Sequence, residues 1–225
     1  MTQAIPAPIP ADATLDEIRT GLAPLIADNA GFDGWGRAAL ALAADRAGVD
    51  TDVATLAFAE GPVAMIDAWF AHVDQAMIAA LPKEALAKDK IRARITRQVE
   101  TRLGMLAPHR DALRRAQAVL AMPQNLPQAA RLGWRSVDLM WRQAGDTATD
   151  YNHYTKRAIL GAVYAATLAC FVTDESEDWA DTRAFLARRI DGIMRFEKAK
   201  AGFAARTEHL PSLSRFIGRL RYPAV

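Results

Sequence analysis

Residues 36–58 read GRAALALAADRAGVDTDVATLAF. Gly34-Trp35-Gly36 opens a helix that keeps apolar residues at helical spacing to Ala47, and Gly48 ends it. Glycine suits that position because it enters the left-handed region at a helix C-terminus without a steric penalty. Asp50 or Thr51 then caps a short helix reaching about Phe58, since a side-chain oxygen there satisfies the first free amides. Two helices joined by so tight a turn form a helix-turn-helix, and the same period continues on both sides of it.

Upstream, Thr14 caps a helix predicted over 15–29, with Glu17 completing a capping box. Downstream, Gly61-Pro62 sets up a helix to about Leu81, which Pro82 breaks. The 3.6-residue period predicts further helices at about 84–104, 109–122, 127–144, 151–172 and 177–202, with the turn MPQNLP over 122–127. After AGFAART comes a last helix, about 207–221. Strand alternation is scarce and no internal repeat is visible. The expectation is an all-α chain with a proline-rich, disordered leader over 1–12. A helix-turn-helix-like subdomain follows over 13–81, then a larger helical core over 82–202 and an amphipathic helix over 207–222.

The chain has 225 residues, 51% hydrophobic and 24% charged, the composition of an ordinary globular protein. Its longest nearly uncharged run, Ala158 to Val172, is too short to cross a bilayer as a helix and suits a buried one. The N-terminus has neither a basic start nor an apolar h-region, so it reads as no secretory signal or transit peptide. That favours a bacterial, cytoplasmic protein meeting the inner membrane only peripherally. The single cysteine, Cys170, lies in the apolar run and is expected to be a buried, inert thiol.

Charge argues against nucleic acid. Net charge is +2, yet residues 1–80 hold three basic residues against eleven acidic ones, −8 in all. A recognition helix needs donors for phosphates and base edges. Here DTDVATLAFAE carries Asp50, Asp52 and Glu60 and no basic residue. No cluster of Lys or Arg is present to release counterions. No catalytic centre is legible either: there is no Gly-rich phosphate loop, cysteine pair or serine-nucleophile motif. His72, His109, His153 and His209 are scattered, without the repeated Glu-x-x-His of a di-iron bundle. No metal and no cofactor are expected.

A second stretch carries recognition chemistry: DLMWRQAGDTATDYNHYTKR, Asp138 to Arg157. Aromatic residues with a polar handle are what interaction surfaces favour. AGDTATDYNHYTKR, the apolar helix after it and DESEDWADTRAFLARRI resemble the ubiquinone-biosynthesis protein Coq nine family. The resemblance reaches back through MLAPHRDALRRAQAVLAMPQNLPQA, residues 105–129, to GWGRAALALAADRAGV, residues 34–49, and covers roughly 34–200. It implies a TetR-like fold that binds lipid, supports ubiquinone synthesis without being an enzyme, and forms a homodimer. One departure stands out: His153 occupies a position where the family usually has Trp, which puts the partner contact in doubt.

The larger region is rich in bulky apolar residues. Met105, Val119, Trp134, Val137, Leu139, Tyr164 and Leu168 are the expected lining of a cavity, with Gly161, Ala162, Ala165, Ala166 and Ala169 leaving room for one. The bare alternative is a packed core; the resemblance implies an isoprenoid quinone or precursor lipid as occupant. It also implies a surface formed by Met140, Trp141, Asp150, Asn152, His153, Tyr154, Lys156 and Arg157, facing a modifying enzyme, in the family the demethoxyubiquinone hydroxylase. The C-terminal EHLPSLSRFIGRLRYPAV places Leu210, Leu213, Phe216, Ile217 and Leu220 near one side and Arg215, Arg219 and Arg221 near the other. That is a basic amphipathic helix suited to a membrane surface. The alternative reading is a TetR-type regulator sensing an apolar ligand, and a DNA-binding assay discriminates the two.

Overall fold

The computed structural model describes residues 9, 10, 12–147, 149 and 151–207, and for 151, 152 and 194–207 it describes the backbone alone. Among these residues all regular structure is helical: α1 (Leu15–Asp33), α2 (Arg37–Ala47), α3 (Thr51–Ala57), α4 (Pro62–Ala80), α5 (Lys83–Leu86), α6 (Ile91–Leu106), α7 (Arg110–Leu120), α8 (Leu126–Gln143), α9 (Tyr151–Phe171) and α10 (Ala180–Thr207).

The local signals act as read. Thr14 Oγ1 accepts from the Glu17 amide while the Glu17 carboxylate accepts from the Thr14 amide at 2.8 Å. Gly48, at φ 68°, ends α2, and the Asp50 carboxylate accepts from the amides of Asp52 and Val53 to start α3.

Three expectations need correction. The helix predicted over 84–104 is two, α5 and α6. The Arg94 guanidinium, in the first turn of α6, explains the break: it donates to the carbonyls of Ala87 and Asp89 and to that of Ala144 beyond α8, so one side chain satisfies backbone oxygens at the break and ties them to a distant segment. The helix predicted to end near 202 continues through AGFAART to Thr207. A single glycine such as Gly202 inside a helix costs only about 1 kcal/mol, too little to end it. Cys170 is half-buried rather than buried, with the Thr182 hydroxyl 3.8 Å from its sulfur. Within the stretch read as a leader, Ile9 packs against the core. A Cβ on Gly21 would meet Ile9 Cδ1 at 2.6 Å, so a larger residue there would push the Ile9 side chain aside.

α1 packs on α2, α3, α4 and α7. Trp35 is buried, its indole N–H donates to the Ala112 carbonyl at 2.9 Å, and its ring lies 5.2 Å from that of Trp69. The helix-turn-helix is thereby tied to α7, and one continuous buried cluster runs from Ile18 to Ile190. Around that cluster α4, α6, α8 and α9 make the remaining walls.

At the turn into α10, the Asp174 carboxylate accepts from both the amide and the hydroxyl of Ser176 and of Thr182. Burial pushes the carboxyl up, but these hydrogen bonds outweigh it and hold it well below its ordinary value of 3.8. A carboxyl depressed on folding stabilises above its unfolded pKa and loses that contribution as pH falls. The unfolding free energy should therefore decline on acidification below about pH 4. Asp174→Ala should flatten that decline and cost about 1–2 kcal/mol at neutral pH. Chemical denaturation across a pH series measures both, and an unaltered acid limb in the variant would refute the assignment.

Candidate functional site

α4, α6, α7, α8 and α9 line a half-open pocket of about 270 Å³. Its walls are apolar: Phe70, Leu120, Leu132 and Leu168, with Ala129, Gly133, Gly161 and Ala165 keeping α8 and α9 from filling it. A Cβ added at Gly133 or Gly161 would meet nothing within 4 Å. The spacing explains the pocket: 129, 132, 133 and 136 on α8 and 161, 164, 165 and 168 on α9 each form one helix face.

One part of the wall is charged. Arg102 is 0% exposed, and it donates through Nε to Tyr164 Oη and through Nη1 to Asp74. Asp74 also accepts from Ser136 Oγ at 3.0 Å, and Arg135 Nε lies 3.7 Å from its carboxylate. Arg135 in turn pairs with Asp67. Burial pushes the Asp74 carboxyl up, opposed chiefly by Arg102 and then by Ser136 and Arg135. The Tyr164 hydroxyl is likewise raised by burial. Arg102 stays protonated: burial disfavours its charge, but Tyr164 and Asp74 more than compensate. The Phe70 and Tyr164 rings lie 5.5 and 5.6 Å from the guanidinium.

A second hollow, about 480 Å³, lies among Asp16, Arg19, Glu60, Asp67, His72 and Arg135. Ala64, Ala68 and Ala71 also line it, but the charged groups among them would have to be desolvated by an apolar chain.

At the far end of α8 from the pocket, the AGD loop is folded on itself and on α9. Gly145, at φ 92°, ends α8: its amide donates to the Arg142 carbonyl, and that of Asp146 to the Trp141 carbonyl at 2.9 Å, a Schellman closure. Lys156 Nζ and Arg157 Nη1 then donate to the Asp146 carboxylate at 2.7 and 3.1 Å, while Arg157 Nε donates to Asp138. Burial pushes the Asp146 carboxyl up, yet its hydrogen bonds from Lys156 and Arg157 bring it below its ordinary value. The Trp141 indole N–H donates to the Lys156 carbonyl at 3.2 Å.

These contacts redistribute the residues singled out from sequence. Of the seven expected in the cavity wall, the pocket collects Tyr164 and Leu168. Val137 is buried, and Met105, Val119 and Leu139 are half-buried, packed against the core cluster rather than lining the pocket. Trp134, 38% exposed, lies outside it too, because it sits about half a turn from the pocket face of α8. Of the expected partner surface, Met140 and Arg157 point inward, 0% and 1% exposed. Trp141 and Lys156 are half-buried and brace the loop. Tyr154 is 62% exposed and stacks on Trp134, their centroids 6.1 Å apart, with His153 edge-on to Tyr154 at 5.1 Å. Asp150, the Asn152 side chain and the tail from Leu210 to Arg221 lie outside the described residues.

Sequence reasoning missed Phe70, Arg102 and Ser136. A signal existed for the charged pair: Arg102 shares the apolar stripe of Ile95, Val99 and Leu106, and Asp74 that of Ile66, Phe70, Val73 and Met77. A charge on the buried stripe of each of two helices requires a partner. Among the described residues, no three of His, Cys, Asp and Glu gather as metal ligands. Nor is any single described helix long and apolar enough to cross a membrane; α3 and α4 pass only together, bent by 84°.

The family model described as COQ9 matches residues 126–197, the segment holding α8, the loop, α9 and the start of α10. "Ubiquinone biosynthesis protein COQ9, mitochondrial" of Bos taurus is 34% identical over 170 residues, 72% of this chain and 52% of that protein. The chain belongs to the COQ9 family. The protein of the same name from Rattus norvegicus is 45% identical over 96 residues, 43% of this chain and 31% of the relative. The chain thus matches between about a third and about half the length of these COQ9 proteins. A crystal structure of a TetR transcriptional regulator from Nitrosomonas europaea superposes with a TM-score of 0.61 at 23% identity, covering 77% of this chain and 96% of the regulator. At that identity the likeness concerns the fold, and the COQ9-family chain is TetR-like and all-α.

Proposed function

We propose that this COQ9-family chain serves ubiquinone biosynthesis without catalysing a step itself, holding the head-group end of an isoprenoid quinone or precursor lipid and presenting it to a modifying enzyme. The observation that carries the reading is the apolar pocket between α8 and α9, kept open by Gly133, Gly161 and Ala165. Ordinary ligand sites span about 300–1,000 Å³. A pocket of about 270 Å³ therefore holds a ring and the start of a tail, and the rest of a long chain stays outside it. Apolar burial supplies roughly 25 cal/mol per Å².

Three further elements of the reading are proposals of the same kind. Trp134, His153 and Tyr154 form the exposed aromatic face offered to the partner enzyme, and a hydroxylase fits that role. The basic tail, Leu210 to Arg221, rests on anionic lipid, each basic residue contributing on the order of 1 kcal/mol. Two copies associate as a homodimer. Duplex DNA is not a partner in this reading, because α3 carries no basic residue and exposes Asp52, Val53 and Leu56 beside Thr51 and Thr55.

The test is lipid mass spectrometry on full-length protein and on Gly161→Phe. A side chain added where a Cβ meets no atom within 4 Å should be accommodated without unfolding. Co-purified quinones or precursors should be present in the unaltered protein and fall at least tenfold in the variant. Lipid-free protein that also ignores added quinone would end the proposal, as would tight duplex binding at physiological salt.

A further inference from the structure

We propose that the basic tail, Leu210 to Arg221, docks on the α2–α3 face of a second copy of this chain, and that an anionic bilayer competes with that face for it. The inference is independent of the pocket and shares only the tail with the membrane reading above.

The α2–α3 face combines apolar area with acid. Leu56 on α3 is 61% exposed, and Leu42 on α2 and Val53 on α3 are exposed as well. Asp45, Asp52 and Glu60 are exposed beside them, with no salt bridge among the described residues. The Asp50 carboxylate is spent on the amides that start α3. Of the basic residues on these two helices, Arg46 is paired with Asp28, which leaves Arg37. Large apolar side chains held in water gain by meeting another apolar surface. The acidic residues around them require that surface to carry basic groups. A basic amphipathic helix meets both conditions.

The chain itself holds such a segment. Leu210, Leu213, Ile217 and Leu220 recur at helical spacing, with Arg215, Arg219 and Arg221 near the other side. From Arg195 onward seven basic residues stand against two acidic ones, whereas residues 1–80 hold three against eleven.

The course of α10 makes this a contact between copies. α10 starts just after Asp174, whose carbonyl accepts from Arg110 at the start of α7. Two residues further along α7, the Ala112 carbonyl holds Trp35, at the entry to α2. By Asp191, α10 has reached Arg92 in the first turn of α6, next to Arg94 and the Ala144 carbonyl it holds. α10 therefore runs away from its own helix-turn-helix, and its 28 residues span about 40 Å. A helix over 210–221 covers only about 18 Å, too little to come back. Exchanged reciprocally, two tails cover both faces of a dimer. An anionic bilayer offers the tail the same two things, apolar depth and negative charge, so it draws the tail off the face.

The experiment uses the full chain with a benzophenone amino acid in place of Phe216. Isotope-heavy and isotope-light copies are mixed and illuminated without lipid. The expected product is a mixed-isotope crosslink joining position 216 to residues 38–60. Leu56→Lys and Leu42→Lys, both at exposed positions where the fold tolerates change, should each lower its yield about tenfold. Phosphatidylglycerol vesicles should lower it likewise, and phosphatidylcholine vesicles should not. Crosslinks confined to one copy, crosslinks to other helices, no crosslinks, or a yield that neither substitution lowers would overturn the docking and leave the pocket reading untouched. Crosslinks to 38–60 that phosphatidylglycerol leaves unchanged would overturn the competition, and the membrane reading of the tail with it.

Discussion

Arg102→Met lowers the free energy of unfolding by about 3–5 kcal/mol. The substitution keeps most of the side-chain volume, so the loss comes from electrostatics. It strands the Asp74 carboxylate, already pushed up by burial, with Ser136 and the more distant Arg135 as its remaining support. It also takes the donor from Tyr164 Oη. A buried ion is costly when its partner is removed, far more than when the pair is removed together. Asp74→Asn combined with the same Arg102→Met should therefore recover most of the loss, giving a coupling of about 2 kcal/mol or more in the double-mutant cycle closed by the Asp74→Asn single variant. Urea denaturation of the four proteins measures it. Additive losses would mean that the two side chains do not support one another, contrary to their geometry.

That pair also shows where sequence reading stops. Each member is visible on its own helix, as a charge on an apolar stripe, but which charge meets which depends on how α4 and α6 cross. The same limit holds for the pocket. Its small residues at 161 and 165 were legible in α9. The face opposite, 129 to 136 of α8, was read as bulk because Trp134 and Val137 are large, although the glycine between Leu132 and Trp134 is what faces the cavity. The helix-turn-helix, by contrast, was fully legible: Gly48 and Asp50 act on neighbours in sequence, so their effect needs no tertiary partner. The α5–α6 break was illegible for the opposite reason, since Arg94 reaches from α6 to the carbonyl of Ala144.

The fold and the charge pattern fit one account. A TetR-like scaffold puts a helix-turn-helix at one end and a cavity at the other. Here the helix-turn-helix packs internally through Ala54 and Ala57 of α3, while its exposed side carries Asp52 and no basic residue. The buried polar groups of the larger region cluster instead around Arg102 and Asp74 and at the loop between α8 and α9.

Arg157→Met at that loop should separate architecture from recognition. Arg157 is 1% exposed and binds Asp138, Asp146 and the His153 carbonyl. Its loss removes the bridge between α8, the loop and the first turns of α9. The expected cost is about 2–3 kcal/mol, less than for Arg102, because Asp146 keeps Lys156 and Asp138 keeps Arg142. The same change should loosen the segment carrying His153 and Tyr154, so partner binding falls although no exposed residue has been altered. Tyr154→Ala makes the opposite case: a residue 62% exposed should change stability by no more than about 0.5 kcal/mol while weakening the partner contact, because it removes the ring stacked on Trp134. Thermal unfolding and limited proteolysis between α8 and α9 report the first effect, and affinity for the partner enzyme reports the second. If Arg157→Met left proteolysis and partner affinity unchanged, the loop would not be what positions the aromatic face. If Tyr154→Ala left affinity unchanged, the face itself would not be the contact.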